Sequence, residues 1–252
     1  MVLLELDNVS LTFNDIKVLS ELNFKISKEE IVGIVGATES GKTTLFDVIS
    51  GVYKPTSGNI IFDGQDISNL SIEELNRRGI ARTFQDGNIF GNLTVADNIR
   101  IGFYNTLTYN ISDALFRSKN FYQQERELTE RTEELLDIFE MLDYKDLMAK
   151  DIPYHLQCKL DIARAIATSP KLLLLDRPTS GMKISEAEQF MTTIEMVNRK
   201  FKTAIAIIEN DINLIFGICS QISVMEYNTI IATGSPLEIK NNNALLSVYL
   251  GE

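Results

Sequence analysis

A glycine-bounded loop between a buried strand and a helix limits which folds this chain can adopt. Residues 36–43 fit the pattern G-x-x-x-x-G-K-[ST]. They follow residues 31–35, an apolar run typical of a strand buried on both faces, and they open a helix predicted over residues 44–50. In that context, backbone N–H groups turn inward around a phosphate and the helix N-terminus adds positive potential. The loop therefore predicts nucleotide phosphate binding, with a structural glycine-rich turn as the alternative.

The side chains of this loop predict separate roles in binding. Lys42 would reach the β- and γ-phosphates, and the Thr43 hydroxyl would ligate Mg²⁺. Glu39 conflicts with this pattern, because a carboxylate beside a triphosphate is repulsive unless it points to solvent. The predicted nucleotide-binding residues of the loop are Gly36, Ala37, Thr38, Glu39, Ser40, Gly41, Lys42, Thr43 and Thr44.

An acidic residue at the end of a second apolar strand completes the predicted site. Asp176 follows four consecutive leucines, Leu172 to Leu175. Alone, such an acid would only mark the end of a strand. Downstream of a phosphate loop, it predicts the carboxylate that positions Mg²⁺ through water.

The remaining pattern predicts an α/β fold with a helical insert. Residues 3–9, 23–27 and 52–63 are β-like, the last with a turn at 55–58 before a strand at 59–62, and residues 171–175 and 203–208 are further buried strands. Strands that alternate with helices predict a mostly parallel sheet with helices on both faces. Residues 112–150 have helical periodicity, with a stripe formed by Leu128, Thr132, Leu135, Leu136, Phe139 and Leu142. The acidic face of this helical part predicts a solvated surface, with an acidic docking surface as the alternative.

Composition excludes several function classes. Lys and Arg total 24 against 35 Asp and Glu, a net charge of −11, which argues against binding to nucleic acid or to anionic lipid. The two cysteines, Cys158 and Cys219, cannot make a disulfide framework, and two cysteines with one histidine argue against a structural zinc site. No apolar run approaches the length of a membrane span. The N-terminal residues lack a basic region and reach an acid by Glu5, which argues against a secretory signal. We expect a soluble cytosolic chain whose membrane role, if any, comes through a partner.

Together these motifs resemble the ATP-binding subunits of ATP-binding-cassette (ABC) transporters, over essentially the whole chain. Residues 79–85 resemble the segment leading into the family's Q-loop, which implies that Gln85 contacts Mg²⁺ and the attacking water. Phe13 lies where the family places an aromatic side chain against adenine. Residues 160–165 resemble the signature helix. The string at residues 81–85, the helical insert after Ile99 and the ending at residues 249–252 are typical of branched-chain amino-acid importers.

The resemblance implies an architecture and a set of partners. The whole chain, 1–252, would be one nucleotide-binding domain with a P-loop (RecA-like) core and a mostly parallel sheet. An antiparallel β part would cover residues 1–30 and 52–66, the core residues 31–51, 67–87 and 160–252, and a helical subdomain residues 88–159. Implied ligands are ATP and Mg²⁺. Implied partners are a second ABC ATPase subunit and transmembrane permease subunits, at the inner face of the plasma membrane.

Several positions depart from the family's catalytic pattern. Arg177 replaces the glutamate that polarises the attacking water, and a guanidinium cannot accept a proton. Asn210 replaces the switch histidine, and Lys183 replaces the acid or amide of the D-loop. In the signature sequence, Pro153 replaces the serine and His155 the last glycine. His155 is interpreted as a helix-start residue, with a new catalytic group as the alternative.

Those replacements leave the predicted fold intact. Proline suits the start of a helix, and an apolar stripe follows it, formed by Leu156, Leu160, Ala163 and Ala167.

Because the fold is kept and the catalytic groups are replaced, two functions remain open from the sequence. One is an ATP-hydrolysing motor for solute import. The other is a nucleotide-holding, hydrolysis-poor scaffold or regulatory subunit. Other P-loop enzymes, such as small kinases, fit less well, since a signature helix directly before the acid-ended strand belongs to the ABC pattern.

Overall fold

The fold was analysed in a computed structural model that describes residues 1–83, 89–106, 108 and 111–242. Its strands are β1 (Val2–Phe13), β2 (Ile16–Ser27), β3 (Ile31–Gly36), β4 (Ser57–Phe62), β5 (Gln65–Asp66), β6 (Ile80–Thr83), β7 (Leu172–Asp176), β8 (Ala204–Ile208), β9 (Gln221–Glu226) and β10 (Thr229–Gly234). Its helices are α1 (Lys42–Ile49), α2 (Ile72–Arg78), α3 (Val95–Gly102), α4 (Ile111–Leu115), α5 (Lys119–Ile138), α6 (Tyr154–Ala167), α7 (Ile184–Phe201), α8 (Ile212–Ile218) and α9 (Pro236–Lys240). Short 3₁₀ turns lie at Phe103–Thr106, Leu142–Tyr144 and Ala149–Asp151.

These elements form two units. The first comprises Met1–Gln85 with Lys171–Glu252, and the second comprises Asp86–Pro170. The second unit contains α3 to α6, and the predicted helical subdomain covers residues 88–159. Helix α6 runs across residue 159, where the sequence placed the end of that subdomain.

The first unit contains an antiparallel sheet in the order β2-β1-β4-β5. Strands β1 and β2 pair antiparallel, which confirms the expectation from their alternating pattern. The prediction of β structure from residue 52 was wrong in part, because the strand there begins only at Ser57. The N–H groups of Val52 and Tyr53 instead donate to the Asp47 carbonyl, in a turn that ends helix α1. Pro55 has no N–H to give to a ladder.

A second sheet has the order β10-β9-β3-β8-β7-β6. Every neighbouring pair in it is parallel except β10 and β9. Strands β3, β7 and β8 are buried along their whole length, as their continuous apolar runs predicted. The mixed α/β fold with a mostly parallel sheet is therefore confirmed.

The two faces of this sheet pack against different elements. On one face, Val32 and Ile34 belong to a core shared with Leu45 and Phe46 of α1 and with the antiparallel sheet. The opposite face meets α8, and there Gly33 is essential to the packing. A Cβ atom at Gly33 would lie 2.4 Å from Ile215 Cγ2, so only glycine lets this helix approach so closely.

In the helical unit, α5 confirms most of the predicted apolar stripe. Leu128, Thr132, Leu135 and Leu136 are buried along it. The prediction of helical structure over residues 112–150 was wrong in part, since α5 ends at Ile138 and only two short 3₁₀ turns follow. Leu142 therefore leaves the stripe and is 38% exposed. Within the described ranges, no helix combines the length and the apolar character needed to cross a bilayer.

Candidate nucleotide-binding site

The topology brings the predicted loop and the predicted acid to one edge of the parallel sheet. Strand β8 lies between β3 and β7 and is parallel to both. The loop leaves the carboxyl end of β3, and Asp176 is the last residue of β7. Ligands of open α/β sheets bind at this edge, outside the carboxyl ends of the strands.

Two glycines allow the loop its shape. Gly36 has a φ of 153°, and a Cβ there would lie 2.1 Å from the Met225 carbonyl oxygen. Gly41 precedes α1 with a φ of 93°, and a Cβ there would press within 3.1 Å of the Asn228 side chain. Both positions therefore require glycine. Between them, Glu39 adopts a left-handed φ of 66°, which is unfavourable for a residue with a Cβ, and its side chain is exposed.

The Lys42 ammonium group lies inside the loop. Its Nζ donates to the carbonyl oxygens of Gly36 (2.8 Å) and Ala37 (2.6 Å) and to the Ser40 hydroxyl (3.1 Å). These contacts use all three ammonium protons and brace the curled backbone. Burial, together with the nearby Arg177 guanidinium, lowers the pKa of Lys42 to about 8, and the Asp176 carboxylate partly opposes this shift. A bound phosphate could replace the loop carbonyls as the hydrogen-bond acceptor of this amine.

Asp176 is buried beside an arginine that the sequence analysis did not place in the site. Nη2 of Arg82 lies 3.4 Å from Asp176 Oδ2, and Nη1 lies 2.7 Å from Asp47 Oδ1 on α1. The other carboxylate oxygen of Asp176, Oδ1, is buried and has no hydrogen-bond partner among the described residues. Burial raises the pKa of Asp176, whereas Arg82 and the nearby Thr43 hydroxyl lower it, and burial dominates.

A cavity of about 280 Å³ lies against the loop and against Arg177, the residue that follows Asp176. Five of the predicted loop residues line it, together with three residues from elsewhere in the first unit. The lining residues are Glu39, Gly41, Lys42, Thr43, Thr44, Val18, Arg177 and Asn228. Val18 lies on β2 and Asn228 in the turn between β9 and β10, and neither has a sequence signal that marks it for this site.

Arg177 and Glu209 follow neighbouring strands, with different roles. The Arg177 N–H donates to the Ile208 carbonyl (2.8 Å), its backbone has a left-handed φ of 49°, and its side chain lines the cavity. Glu209 is buried and accepts hydrogen bonds from the Thr179 N–H (2.8 Å) and hydroxyl (2.7 Å). Glu209 follows the apolar run of β8 just as Asp176 follows that of β7, so the same sequence signal marks both acids.

Asp176, Phe13, Asn210 and Lys183 are not among the described residues that line the cavity. Gln85 falls outside the described residues. Phe13 is half-exposed and meets Tyr53 edge-on, with ring centroids 4.9 Å apart, so its adenine contact stays a prediction. Asn210 is exposed, and its N–H donates to Glu209 Oε2. Lys183 precedes α7, and its N–H donates to the Glu186 carboxylate.

The two residues that the resemblance assigns to a degenerate signature, Pro153 and His155, belong to the helical unit. Pro153 is the N-cap of α6, one position before the first turn, and gives no side-chain cap. His155 is partly exposed in that first turn. The stripe of Leu156, Leu160, Ala163 and Ala167 is buried, as predicted. No cluster of three or more metal-ligating His, Cys, Asp or Glu side chains occurs in the part of the chain that the structure describes.

Comparison with known proteins matches this architecture. A family model described as ABC transporter matches residues 19–180. The LivG ATP-binding protein for high-affinity branched-chain amino-acid transport from Escherichia coli K12 is 30% identical over 99% of this chain and 98% of its own. The lipopolysaccharide-export ATP-binding protein LptB from Haemophilus influenzae is 29% identical over 100% of this chain and 98% of its own.

A solved structure gives the same result at the level of the fold. The crystal structure of a nucleotide-free ATP-binding cassette from an ABC transporter superimposes with a TM-score of 0.86. That protein is 27% identical to this chain, and the match covers 100% of both chains. The match of the family model and the agreement of the fold with a solved cassette show that this chain belongs to the ATP-binding subunits of the ABC transporter family.

Proposed function

We propose that this chain binds Mg·ATP in the cavity above the loop. The observation that carries the proposal is the placement of the Lys42 ammonium inside a glycine-shaped loop, beside the buried Asp176 carboxylate. The residues also suit a magnesium ion, because Asp176 Oδ1 and the Thr43 hydroxyl are hard oxygen donors, and Oδ1 has no other partner among the described residues. A bound Mg²⁺ would neutralise charge on the β- and γ-phosphates. Gln85 would join these ligands.

The test is calorimetric titration of the purified chain with Mg·ATP. The Lys42→Ala variant should abolish binding, because it removes the ammonium group that pairs with the phosphates. Lys200→Ala is the matched control, since Lys200 is exposed on α7, and it should bind as the wild type does. Absence of saturable wild-type binding at about 1 mM ATP, the limit of weak specific affinity, would overturn the assignment.

Within the family, we propose the role of ATP-binding subunit in an importer of the branched-chain amino-acid class. The LivG likeness and the string at residues 81–85 support that class, although the LptB likeness is of similar extent. The chain would pair with a second ABC ATPase subunit and contact transmembrane permease subunits at the inner face of the plasma membrane. Leucine uptake by vesicles that carry the complex co-purified with this chain tests the class, with lipopolysaccharide export as the competing outcome.

A second function, a hydrolysis-poor scaffold or regulatory subunit, is favoured by one observation. Arg177 lines the cavity, and the resemblance implies that it replaces the family's catalytic glutamate. Positioned general bases contribute about 10²–10⁴-fold to rate, so turnover by this chain alone should lie far below the usual range of about 1–10³ s⁻¹. A steady-state ATPase assay decides between the two, and a rate inside that range favours the motor.

A further inference from the structure

We propose that Arg177 is a phosphate-binding residue that lets this cavity hold ATP without Mg²⁺. The inference rests on the proposed nucleotide binding and assigns a new role to the position where the family carries a glutamate. It concerns only the first unit, in which Arg177, Lys42 and Asp176 all lie. Its support comes from where the guanidinium is held, from which hydrogen-bond donors are available, and from the charge around Asp176.

The backbone directs the Arg177 side chain to the cavity. Its N–H is fixed by the Ile208 carbonyl, and its left-handed φ of 49° turns the chain sharply at the end of β7. The side chain then lines the cavity together with Lys42 and Thr43. Because Lys42 and Arg177 both line this cavity, two cations face the same small volume. Such a pair is unfavourable unless an anion lies between them.

Arg177 also has donors to offer. Lys42 already uses its three ammonium protons on Gly36, Ala37 and Ser40. In contrast, Nε of Arg177 is buried and has no hydrogen-bond partner among the described residues. The planar guanidinium matches phosphate oxygens in bidentate geometry, which makes arginine a strong phosphate ligand.

The alternative, that Arg177 simply pairs with Asp176, has little support. Within the described residues Arg177 forms no ion pair, whereas Asp176 has Arg82 at 3.4 Å on Oδ2. Arg82 and Arg177 both place positive charge near the carboxylate that would hold Mg²⁺. That charge weakens the attraction of the site for a divalent cation while it strengthens the attraction for a bare triphosphate. Arg177 thus supplies part of the charge that Mg²⁺ supplies elsewhere in the family.

The test is ATP titration of the full chain by calorimetry, once with Mg²⁺ and once with excess EDTA. For the wild type, we expect EDTA to raise Kd by less than about tenfold. For Arg177→Gln, we expect EDTA to raise Kd by about 100-fold, because a charge-assisted hydrogen bond contributes about 10- to 150-fold to affinity. With Mg²⁺ present, the same variant should bind within about fivefold of the wild type, since the metal then carries the charge.

Two variants guard the interpretation. Arg177→Asn removes the same charge with a residue that tolerates left-handed backbone, so it replaces the glutamine variant if that one does not fold. Arg199→Gln removes an arginine from the surface of α7, where its side chain is 76% exposed, and should leave both Kd values unchanged.

The outcomes separate this inference from the proposed function. If the wild type binds Mg·ATP but loses binding in EDTA as severely as Arg177→Gln does, the role of Arg177 is overturned and nucleotide binding stands. If Arg177→Gln and Arg177→Asn keep the wild-type Kd in EDTA, the role is likewise overturned. If the wild type binds ATP in neither condition, the nucleotide assignment itself is wrong.

Discussion

At the scale of single residues, the Glu39 carboxylate conflicts most clearly with the proposed binding of ATP. Glu39 lines the cavity with a carboxylate and holds a left-handed φ of 66°. Glu39→Gly should lower the Kd for Mg·ATP, because it removes a like charge and suits the backbone. Glu39→Gln separates the two effects, since it removes only the charge. Calorimetry measures the affinity, and equal Kd values for all three proteins would show that the carboxylate stays in solvent when ATP binds.

The buried ammonium of Lys42 makes a pH dependence the second prediction at this scale. Its pKa of about 8 means that the unliganded site loses this charge as pH rises through 8, whereas a bound phosphate raises the pKa. The Kd for ATP should therefore be flat below about pH 8 and rise by up to about tenfold per pH unit above it. Lys42→Arg stays charged and should remove this slope. A wild-type Kd that does not change up to pH 9.5 would contradict the prediction.

The same shift has a consequence for folding with the opposite sign. Because the folded pKa lies below the ordinary value of 10.5, the unfolded chain binds more protons between about pH 8 and 10.5. The contribution of Lys42 to the free energy of unfolding therefore increases with pH across that window.

At the scale of elements, one arginine ties together a helix and two strands. Arg82 on β6 contacts Asp47 on α1 and Asp176 on β7, and its side chain is 5% exposed. Arg82→Met should lower the free energy of unfolding by about 3 kcal/mol, since it leaves two carboxylates of low exposure without their cation. Denaturant unfolding measures the loss. The control Arg199→Met breaks an exposed pair with Glu195 and should cost under about 1 kcal/mol. Equal losses in both variants would exclude a structural role for the buried ion pair.

At the scale of the whole molecule, the losses fall on both halves of the proposed ATP sites. In an ABC dimer each ATP lies between the Walker motifs of one subunit and the signature of the other. On the assignments that the resemblance implies, Arg177 and Asn210 would impair the site for this chain's own ATP, and Pro153 and His155 would impair the site for the partner's ATP. A mixed dimer with an intact subunit should hydrolyse ATP much more slowly than two intact subunits.

Paired restorations measure the two contributions. Pro153→Ser with His155→Gly should rescue one site, and Arg177→Glu with Asn210→His the other, so their gains in ATPase rate should add approximately. Serine also caps helix α6, where Pro153 provides no side-chain cap, so the first pair should not destabilise the fold. Full ATPase activity of the unmodified mixed dimer would sink the degenerate-subunit hypothesis.

The parts of the fold that were predictable have local causes. An apolar run long enough for a buried strand forms one almost regardless of its neighbours, as β3, β7 and β8 do. The errors have tertiary causes. The helical periodicity of the sequence continues past Ile138, but helix α5 ends at that residue and Leu142 is exposed. The sequence from residue 52 is β-like, but the N–H groups of Val52 and Tyr53 donate to the Asp47 carbonyl and so cannot join a strand ladder.

The sequence by itself determined the phosphate loop and the acid that ends β7, because each depends on residue identity at short range. The resemblance to the family adds the prediction that Arg177 and Asn210 replace catalytic groups. Only the tertiary structure decided that Arg82 shares the carboxylate of Asp176, and that Val18 and Asn228 line the cavity. These contacts join residues far apart in the chain, and no local spacing encodes which side chains the parallel sheet and its flanking turns bring to one edge.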